Sequence, residues 1–103
     1  MSETIEKLVK TIKSRKGRDI KSSYTAFLLS KGNDHCLNKL KEEVAELEDA
    51  IKNKKNTVHE TADVIYHLLV TLESAGINFD DIIKELKKRE GTSGFEEKRN
   101  RQI

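Results

Sequence analysis

The stretch Glu42-Glu-Val-Ala-Glu-Leu-Glu-Asp-Ala-Ile-Lys-Asn-Lys-Lys-Asn-Thr-Val-His-Glu-Thr-Ala-Asp63 decides the fold of this chain. Its apolar residues, and those that flank it, recur mostly every three or four positions, which predicts two helices. The link between these helices, Asn53-Lys-Lys-Asn56, is short. Because short links join antiparallel neighbours in helical bundles, we expect the two helices to pack side by side.

Each of these helices places a pair of carboxylates on one face, because residues three apart in a helix are neighbours. Glu43 pairs with Glu46, and Glu60 pairs with Asp63. The second pair opens the most apolar segment of the chain, where Asp63 has no lysine or arginine within one turn. Buried carboxylates are costly unless a cation compensates them, and Mg²⁺ prefers carboxylate oxygens. The sequence therefore predicts that four carboxylates converge on magnesium.

A site of this kind favours metal-assisted hydrolysis of a phosphoanhydride, because bound Mg²⁺ usually engages substrate phosphates. Two structural alternatives stay open. The acids Glu42, Glu43 and Glu46 can form a solvated face of a lysine-rich helix, and Glu60 can close a capping box with Thr57. Asp63 fits neither alternative, so the joint arrangement is more specific than either helix alone.

The rest of the sequence also predicts helices. Proline is absent, and several of the five glycines stand between periodic segments, so we interpret the chain as all-α. A charged, loose tail is expected from about residue 92. About five helices are expected: residues 3–14, a short helix capped by Ser22 or Ser23 and ended by Gly32, a third capped by Asp34, a fourth that starts near Thr57 and ends at Gly76, and a fifth capped by Asn78.

Two apolar patterns predict how the central helices are buried. In the third helix, spacings of three and four predict a core stripe formed by Leu37, Leu40, Val44, Leu47 and Ile51. The fourth helix is apolar almost all round between Val58 and Leu72, which is typical of burial on several sides. In a chain this small, that pattern favours a subunit interface.

Composition limits the classes of partner. The chain has 103 residues, of which 35% are hydrophobic and 37% charged, and this fits a single domain spanning residues 1–103. A net charge of +2 gives no reason to expect nucleic acid as a partner. The longest apolar run is far shorter than the roughly 20 residues that span a bilayer, so no membrane partner is expected. A single cysteine and an N-terminus without an apolar signal segment favour the cytoplasm.

The histidines and the cysteine are weaker candidates. His67 lies one turn after Asp63, where it can orient a carboxylate, contact phosphate or serve the structure alone. We expect His35 and His59 to face solvent, and we expect Cys36 to be a small buried group.

Three motifs together resemble a known family. They are Ser23-Tyr-Thr-Ala-Phe-Leu-Leu-Ser-Lys-Gly32, Lys39 with Glu42-Glu43-x-x-Glu46, and Glu60-x-Ala-Asp-x-x-Tyr-His-Leu-Leu-Val70. Over about residues 5–90, the chain resembles phosphoribosyl-ATP pyrophosphohydrolase, a histidine-biosynthesis member of the MazG-like all-α nucleotide pyrophosphohydrolases. The acidic motif alone marks the superfamily, whereas the Ser-Tyr-Thr and Tyr-His-Leu-Leu segments narrow it to this member.

The resemblance implies a phosphoribosyl-ATP diphosphatase that uses Mg²⁺ to hydrolyse 1-(5-phosphoribosyl)-ATP to 1-(5-phosphoribosyl)-AMP and pyrophosphate. It also implies an interlocked homodimer of MazG-like helical bundles. The metal ligands that it implies are Glu43, Glu46, Glu60 and Asp63. The implied catalytic carboxylates are Glu42, Glu43 and Glu46, of which Glu42 would help to bind the metal or would activate water. The implied substrate contacts are Arg15, Tyr24, Lys31, Lys39 and His67.

The chain departs from its relatives at two places that do not touch the acids. Asp19-Ile-Lys-Ser22 stands where relatives often have a proline, and Lys41 stands where many have glycine. Two other functions stay open. One is a MazG-like pyrophosphohydrolase that acts on another (d)NTP, and the other is a non-enzymatic helical dimerisation module.

Overall fold

The computed structural model describes residues 2–91 and 94–101, and every regular element within these ranges is an α-helix. The predicted all-α class is therefore confirmed. Over the same ranges, none of the helices is both long and apolar enough to cross a membrane. The helices are α1 (Glu3–Arg15), α2 (Tyr24–Lys31), α3 (Asn33–Asn53), α4 (Thr57–Ser74), α5 (Phe79–Lys88) and α6 (Gly94–Arg101).

The sixth helix lies in the charged tail, where the sequence predicts no helix. The first five helices correspond to the five predicted segments. Thr92 and Ser93, at the start of the tail, lie outside the described residues.

Side-chain caps mark the starts of α1, α2 and α5, and at α1 the Ser2 hydroxyl accepts a hydrogen bond from the N–H of Thr4. The Ser23 hydroxyl accepts a hydrogen bond from the N–H of Ala26 at the start of α2. The Asn78 side chain accepts one from the N–H of Asp80 at the start of α5. Such caps satisfy backbone donors that have no partner inside the helix. The predicted caps at Ser23 and Asn78 are confirmed.

Gly32 alone separates α2 from α3. Its φ of 89° lies in the left-handed region, which glycine adopts without the steric cost that a Cβ would bring. Because α3 begins directly afterwards at Asn33, Asp34 lies inside the first turn of that helix. The predicted cap at Asp34 is therefore wrong, and no side chain caps α3.

Helices α3 and α4 form an antiparallel hairpin. At one end of the hairpin, the Thr57 hydroxyl donates to the carbonyl of Ala50 across 3.4 Å. At the other end, the Thr71 hydroxyl donates to the carbonyl of Cys36 across 3.3 Å. The start of each helix thus contacts the end of the other, which confirms the predicted antiparallel packing.

The hydrophobic core forms where α1 and α2 pack against this hairpin. Ile12 of α1 and Leu28 of α2 are almost completely buried, together with Cys36, Leu69 and Val70 from the hairpin. The Cys36 thiol donates to the carbonyl of Leu28, which joins α2 to α3 and confirms the predicted burial of this cysteine. This packing holds in place the two helices that carry the acids.

Another face of the hairpin stays open. Leu37, Val44 and Ile51 are 42%, 48% and 58% exposed, although the sequence places them in a core stripe. Ile65 and Leu68 of α4 are exposed as well. The predicted burial is wrong for Leu37, Val44 and Ile51, which no other described helix of the chain covers, whereas Leu40 and Leu47 of the same stripe are half-buried.

Candidate carboxylate site

Carboxylates from α3 and α4 meet beside the hairpin. Glu43 and Glu46 from α3 and Glu60 from α4 each place an oxygen within 4.8 Å of the others. Glu60 also belongs to a second group with the same spacing, which contains Asp63 and His59. Because Glu60 is shared, the four predicted carboxylates form one continuous group. We call Glu43, Glu46, Glu60 and Asp63 the carboxylate cluster.

Two oxygens of the carboxylate cluster are buried without hydrogen bonds. They are Oε2 of Glu43 and Oε2 of Glu60, and no described residue supplies a donor to either. The Glu43 side chain is only 15% exposed. A buried oxygen without a hydrogen-bond partner destabilises the folded protein. A bound cation would relieve this cost, so the arrangement favours a cation-binding site.

Burial and the neighbouring carboxylates raise the pKa of Glu43 to about 7 from an ordinary value of 4.5. Burial is the largest cause, because it disfavours the charged form. Hydrogen bonding with Glu46 and the negative charges of Glu46, Asp63 and Glu60 raise this pKa further. Without a cation, Glu43 therefore holds a proton close to neutral pH. A divalent cation would compete with that proton.

The capping-box alternative for Glu60 is wrong. Asn56 precedes α4 in the left-handed region, with φ of 59°, and no side chain caps this helix. The Thr57 hydroxyl is bonded to the carbonyl of Ala50 instead. Glu60 thus keeps an oxygen that no described donor satisfies, and this oxygen is available to a ligand.

Glu42 is exposed to solvent, as the solvated-face alternative expects, whereas Glu43 is not. Glu42 is exposed, and its carboxylate lies 2.9 Å from Nζ of Lys39. Glu46 is also exposed at the edge of the carboxylate cluster, whereas Glu43 is mostly buried. The three acids look alike in the sequence, but they occupy three different environments in the fold.

His67 lies against the buried side of the carboxylate cluster. It is 6% exposed, and its Nε2 atom lies 3.7 Å from Oε1 of Glu43. Its ring packs edge-on against the rings of Tyr66 and Tyr24, with centroids 5.0 and 6.2 Å away. Burial lowers the pKa of His67, although the negative charge of Asp63 acts in the opposite direction. The neutral imidazole is therefore favoured.

The predicted substrate contacts are spread over a wider surface. Tyr24 is 53% exposed, and its ring stacks on Phe27 at 6.3 Å. The Lys31 ammonium lies 5.3 Å from the centre of the Phe27 ring. Arg15 lines a different surface cavity of about 330 Å³, beside Arg18 and Ser23. The structure therefore places Tyr24, Lys39 and His67 near the carboxylate cluster and Arg15 at a separate cavity.

The sequence did not single out two residues near the carboxylate cluster as functional. Lys55 lines a surface cavity of about 310 Å³ together with Glu46 and Glu60. His59 is exposed as expected, and its Nε2 atom lies 3.3 Å from Oδ2 of Asp63. The spacing of four residues between His59 and Asp63 is the signal that predicts this contact.

The expectation that His35 faces solvent is wrong. His35 is half-buried, and its ring packs edge-on against Phe27 with centroids 6.0 Å apart. The contact joins α3 to α2, so this histidine belongs to the packing between helices rather than to the site.

The sequence model of the family described as phosphoribosyl-ATP pyrophosphohydrolase matches residues 5–90 of this chain. The chain belongs to this family. The matched segment contains every candidate residue from Arg15 to His67 and includes α2, α3 and α4 completely. Membership makes the chain a hydrolase, so the non-enzymatic dimerisation module is excluded as its function.

Relatives of this phosphoribosyl-ATP pyrophosphohydrolase family member match it in sequence over nearly its full length. The Phosphoribosyl-ATP pyrophosphatase of Dechloromonas aromatica is 45% identical over 101 residues, which cover 96% of this chain and 94% of the relative. That of Rhodobacter capsulatus is 44% identical, covering 91% of this chain and 93% of the relative. The Histidine biosynthesis bifunctional protein HisIE of Wolinella succinogenes is 44% identical over 94% of this chain but only 43% of its own length.

Proposed function

We propose that this chain hydrolyses 1-(5-phosphoribosyl)-ATP to 1-(5-phosphoribosyl)-AMP and pyrophosphate, an early step of L-histidine biosynthesis in the cytoplasm. Relatives that match over nearly the whole chain are named for this substrate. The structural observation that carries the proposal is the carboxylate cluster with its two buried oxygens that lack hydrogen bonds. Because a polyphosphate is negatively charged, a cluster of carboxylates can bind it only when a cation lies between them.

The carboxylate cluster fits Mg²⁺ as that cation. Its donors are hard carboxylate oxygens, which Mg²⁺ prefers. A cation there would give partners to the buried oxygens of Glu43 and Glu60. It would also relieve the repulsion that raises the pKa of Glu43, with Glu46 and Asp63 completing the ligand set. When bound, Mg²⁺ would offset the charge of the phosphates and make the phosphoanhydride easier to hydrolyse.

The neighbouring side chains would bind substrate and move protons. Glu42 is exposed next to the carboxylate cluster and is oriented by Lys39, so we assign it the task of accepting a proton from the attacking water. Lys39 and Lys31 would contact phosphate oxygens, and the exposed ring of Tyr24 would pack against the substrate. The phosphate contact of Arg15 stays a prediction, because this residue lines a different cavity.

We also propose that two copies of the chain form a homodimer through the open face of the α3–α4 hairpin. Leu37, Val44 and Ile51 lie seven residues apart, so they form one line along α3. All three are exposed within the single chain. Contiguous exposed apolar surface marks protein–protein contacts, and the interlocked dimer implied by the resemblance would cover it.

A substrate comparison tests the reaction. Pyrophosphate release would be measured from phosphoribosyl-ATP and from each common (d)NTP, with Mg²⁺ present and with the metal removed by a chelator. We expect kcat/KM for phosphoribosyl-ATP to exceed that for any (d)NTP by at least about tenfold. Faster turnover of a (d)NTP would contradict the proposed substrate and indicate a MazG-like pyrophosphohydrolase that acts on that nucleotide. Full activity in the presence of the chelator would show that the reaction does not need a divalent cation.

Conservative variants test the carboxylate cluster. Glu46→Gln and Asp63→Asn keep the side-chain size but remove a charge, and we expect each to lower kcat/KM by at least about 100-fold with the helical circular dichroism retained. Glu48→Gln is the matched control, because Glu48 is an exposed acid of α3 that pairs with Lys52 at 2.7 Å. Wild-type activity in both cluster variants would rule out these acids as ligands.

A further inference from the structure

The burial of His67 limits what this residue can do. The side chain is 6% exposed, whereas Tyr24 and Lys39, its neighbours at the site, are more accessible. A group this deeply buried offers little surface to a substrate phosphate. Its ring nitrogen faces Glu43 instead, with 3.7 Å between Nε2 and Oε1.

We propose that His67 is a positioning residue that holds Oε1 of Glu43 and so directs Oε2 of Glu43 into the carboxylate cluster. This inference rests on the proposed function, because it concerns how the same site is kept ready for a cation. It assigns His67 to the orientation of a carboxylate rather than to direct contact with substrate.

The two oxygens of Glu43 have different surroundings, as the proposal requires. Oε1 faces the imidazole, while Oε2 is buried without a hydrogen-bond donor among the described residues. The 3.7 Å between Nε2 and Oε1 exceeds hydrogen-bond length, but a small movement closes it. Contacts in catalytic sites are often long before the ligand binds and shorten afterwards.

The imidazole is held firmly enough to orient its neighbour. Its ring lies edge-on to Tyr66, at an interplanar angle of 84°, and edge-on to Tyr24, at 80°. The hydroxyl groups of Tyr66 and Thr25 are hydrogen-bonded, which ties α4 to α2 beside the ring. Because packing from two helices fixes the ring, Glu43 adjusts to His67 and not the reverse.

Electrostatics explain why a neutral donor is suited to this position. Oxygens of Glu46 and Glu60 lie within 4.8 Å of an oxygen of Glu43, so the carboxylate needs a donor on its other side to fix its orientation. A lysine here would fix Glu43, but its charge would repel the cation. A neutral imidazole N–H orients the carboxylate without adding positive charge, as outer residues of metal sites commonly do.

Binding of Mn²⁺, followed by its electron paramagnetic resonance signal, tests the inference alongside pyrophosphate release. We expect His67→Leu to weaken Mn²⁺ binding by roughly 10- to 100-fold, and we expect His67→Gln, which keeps an N–H donor, to recover most of the affinity. If His67→Leu fails to fold, His67→Asn replaces it, because its amide is too short to reach Glu43. Val70→Ala is the control for lost stability, since Val70 is a core residue of the same helix.

The outcomes separate the inference from the proposed function. Failure of the wild-type protein to bind Mn²⁺ would overturn the proposed function. Wild-type Mn²⁺ binding that His67→Leu or its substitute leaves unchanged would overturn only the role of His67, as would equal losses in His67→Gln and His67→Leu. In a Glu43→Gln background, His67→Leu should cause little further loss of affinity, because both changes remove the same contact between Nε2 of His67 and Oε1 of Glu43.

Discussion

Replacing Glu43 by glutamine should stabilise the metal-free protein and abolish its activity. Its folded-state pKa of about 7 lies above the ordinary 4.5, so the folded protein retains a proton that the unfolded chain has released. Stability is therefore lost as the pH rises from 4.5 to about 7. This displacement corresponds to about 3 kcal/mol above that range. The 15% exposure of the side chain lowers our expectation to about 2 kcal/mol.

Urea denaturation of chelator-treated protein measures this effect. At about pH 8, Glu43→Gln should raise the free energy of unfolding by about 2 kcal/mol, and at about pH 5 most of the difference should disappear. Saturating Mg²⁺ should stabilise the wild-type protein more than the variant. Glu48→Gln should change neither stability nor activity appreciably, because this acid is solvent-exposed.

Two results would refute this reasoning. A Glu43→Gln variant that is less stable than the wild type at about pH 8 would show that the ionised carboxylate is held by favourable contacts and not strained by its acidic neighbours. A variant that retains pyrophosphate release would show that Glu43 is not required at the site.

Three further predictions concern the cation, the dimer and the core. Millimolar Mg²⁺ should raise the melting temperature measured by differential scanning calorimetry. The rise should be larger at about pH 8 than at about pH 6, because protons compete with the cation at Glu43, and no rise at either pH would contradict cation binding. Val44→Glu should convert a dimer into monomers in sedimentation velocity, while Asn38→Glu, at an exposed position on a different face of the same helix, should not. Leu28→Ala should lower the free energy of unfolding by about 2–5 kcal/mol in urea, because Leu28 is fully buried, and a loss below about 1 kcal/mol would contradict the assigned core.

Local signals in the sequence were sufficient for the helices and for part of the site. Ser23 and Asn78 cap helices because a short polar side chain satisfies nearby backbone donors, which is a contact within three residues. The pairing of Glu43 with Glu46 follows from helical geometry alone. The short link to α4 then brings Glu60 beside them, as the sequence predicted.

Signals that depend on distant residues were misleading. Thr57 and Glu60 have the spacing of a capping box, but the Thr57 hydroxyl instead donates a hydrogen bond to the carbonyl of Ala50 in the preceding helix. Leu37, Val44 and Ile51 have the spacing of a core stripe, yet they are exposed. Apolar spacing shows that a face needs to be covered, and it cannot show whether the same chain or another one covers it.

The sequence by itself determined that this chain is helical and that two neighbouring helices carry four acids at matching intervals, because helix formation and the spacing of side chains are local properties. Only the tertiary structure decided that Glu43 is mostly buried while Glu42 and Glu46 are exposed, and that His67 faces Glu43. The physical reason is that burial depends on which helices pack over a residue, and three adjacent acids with the same local preference can receive different solvation from that packing.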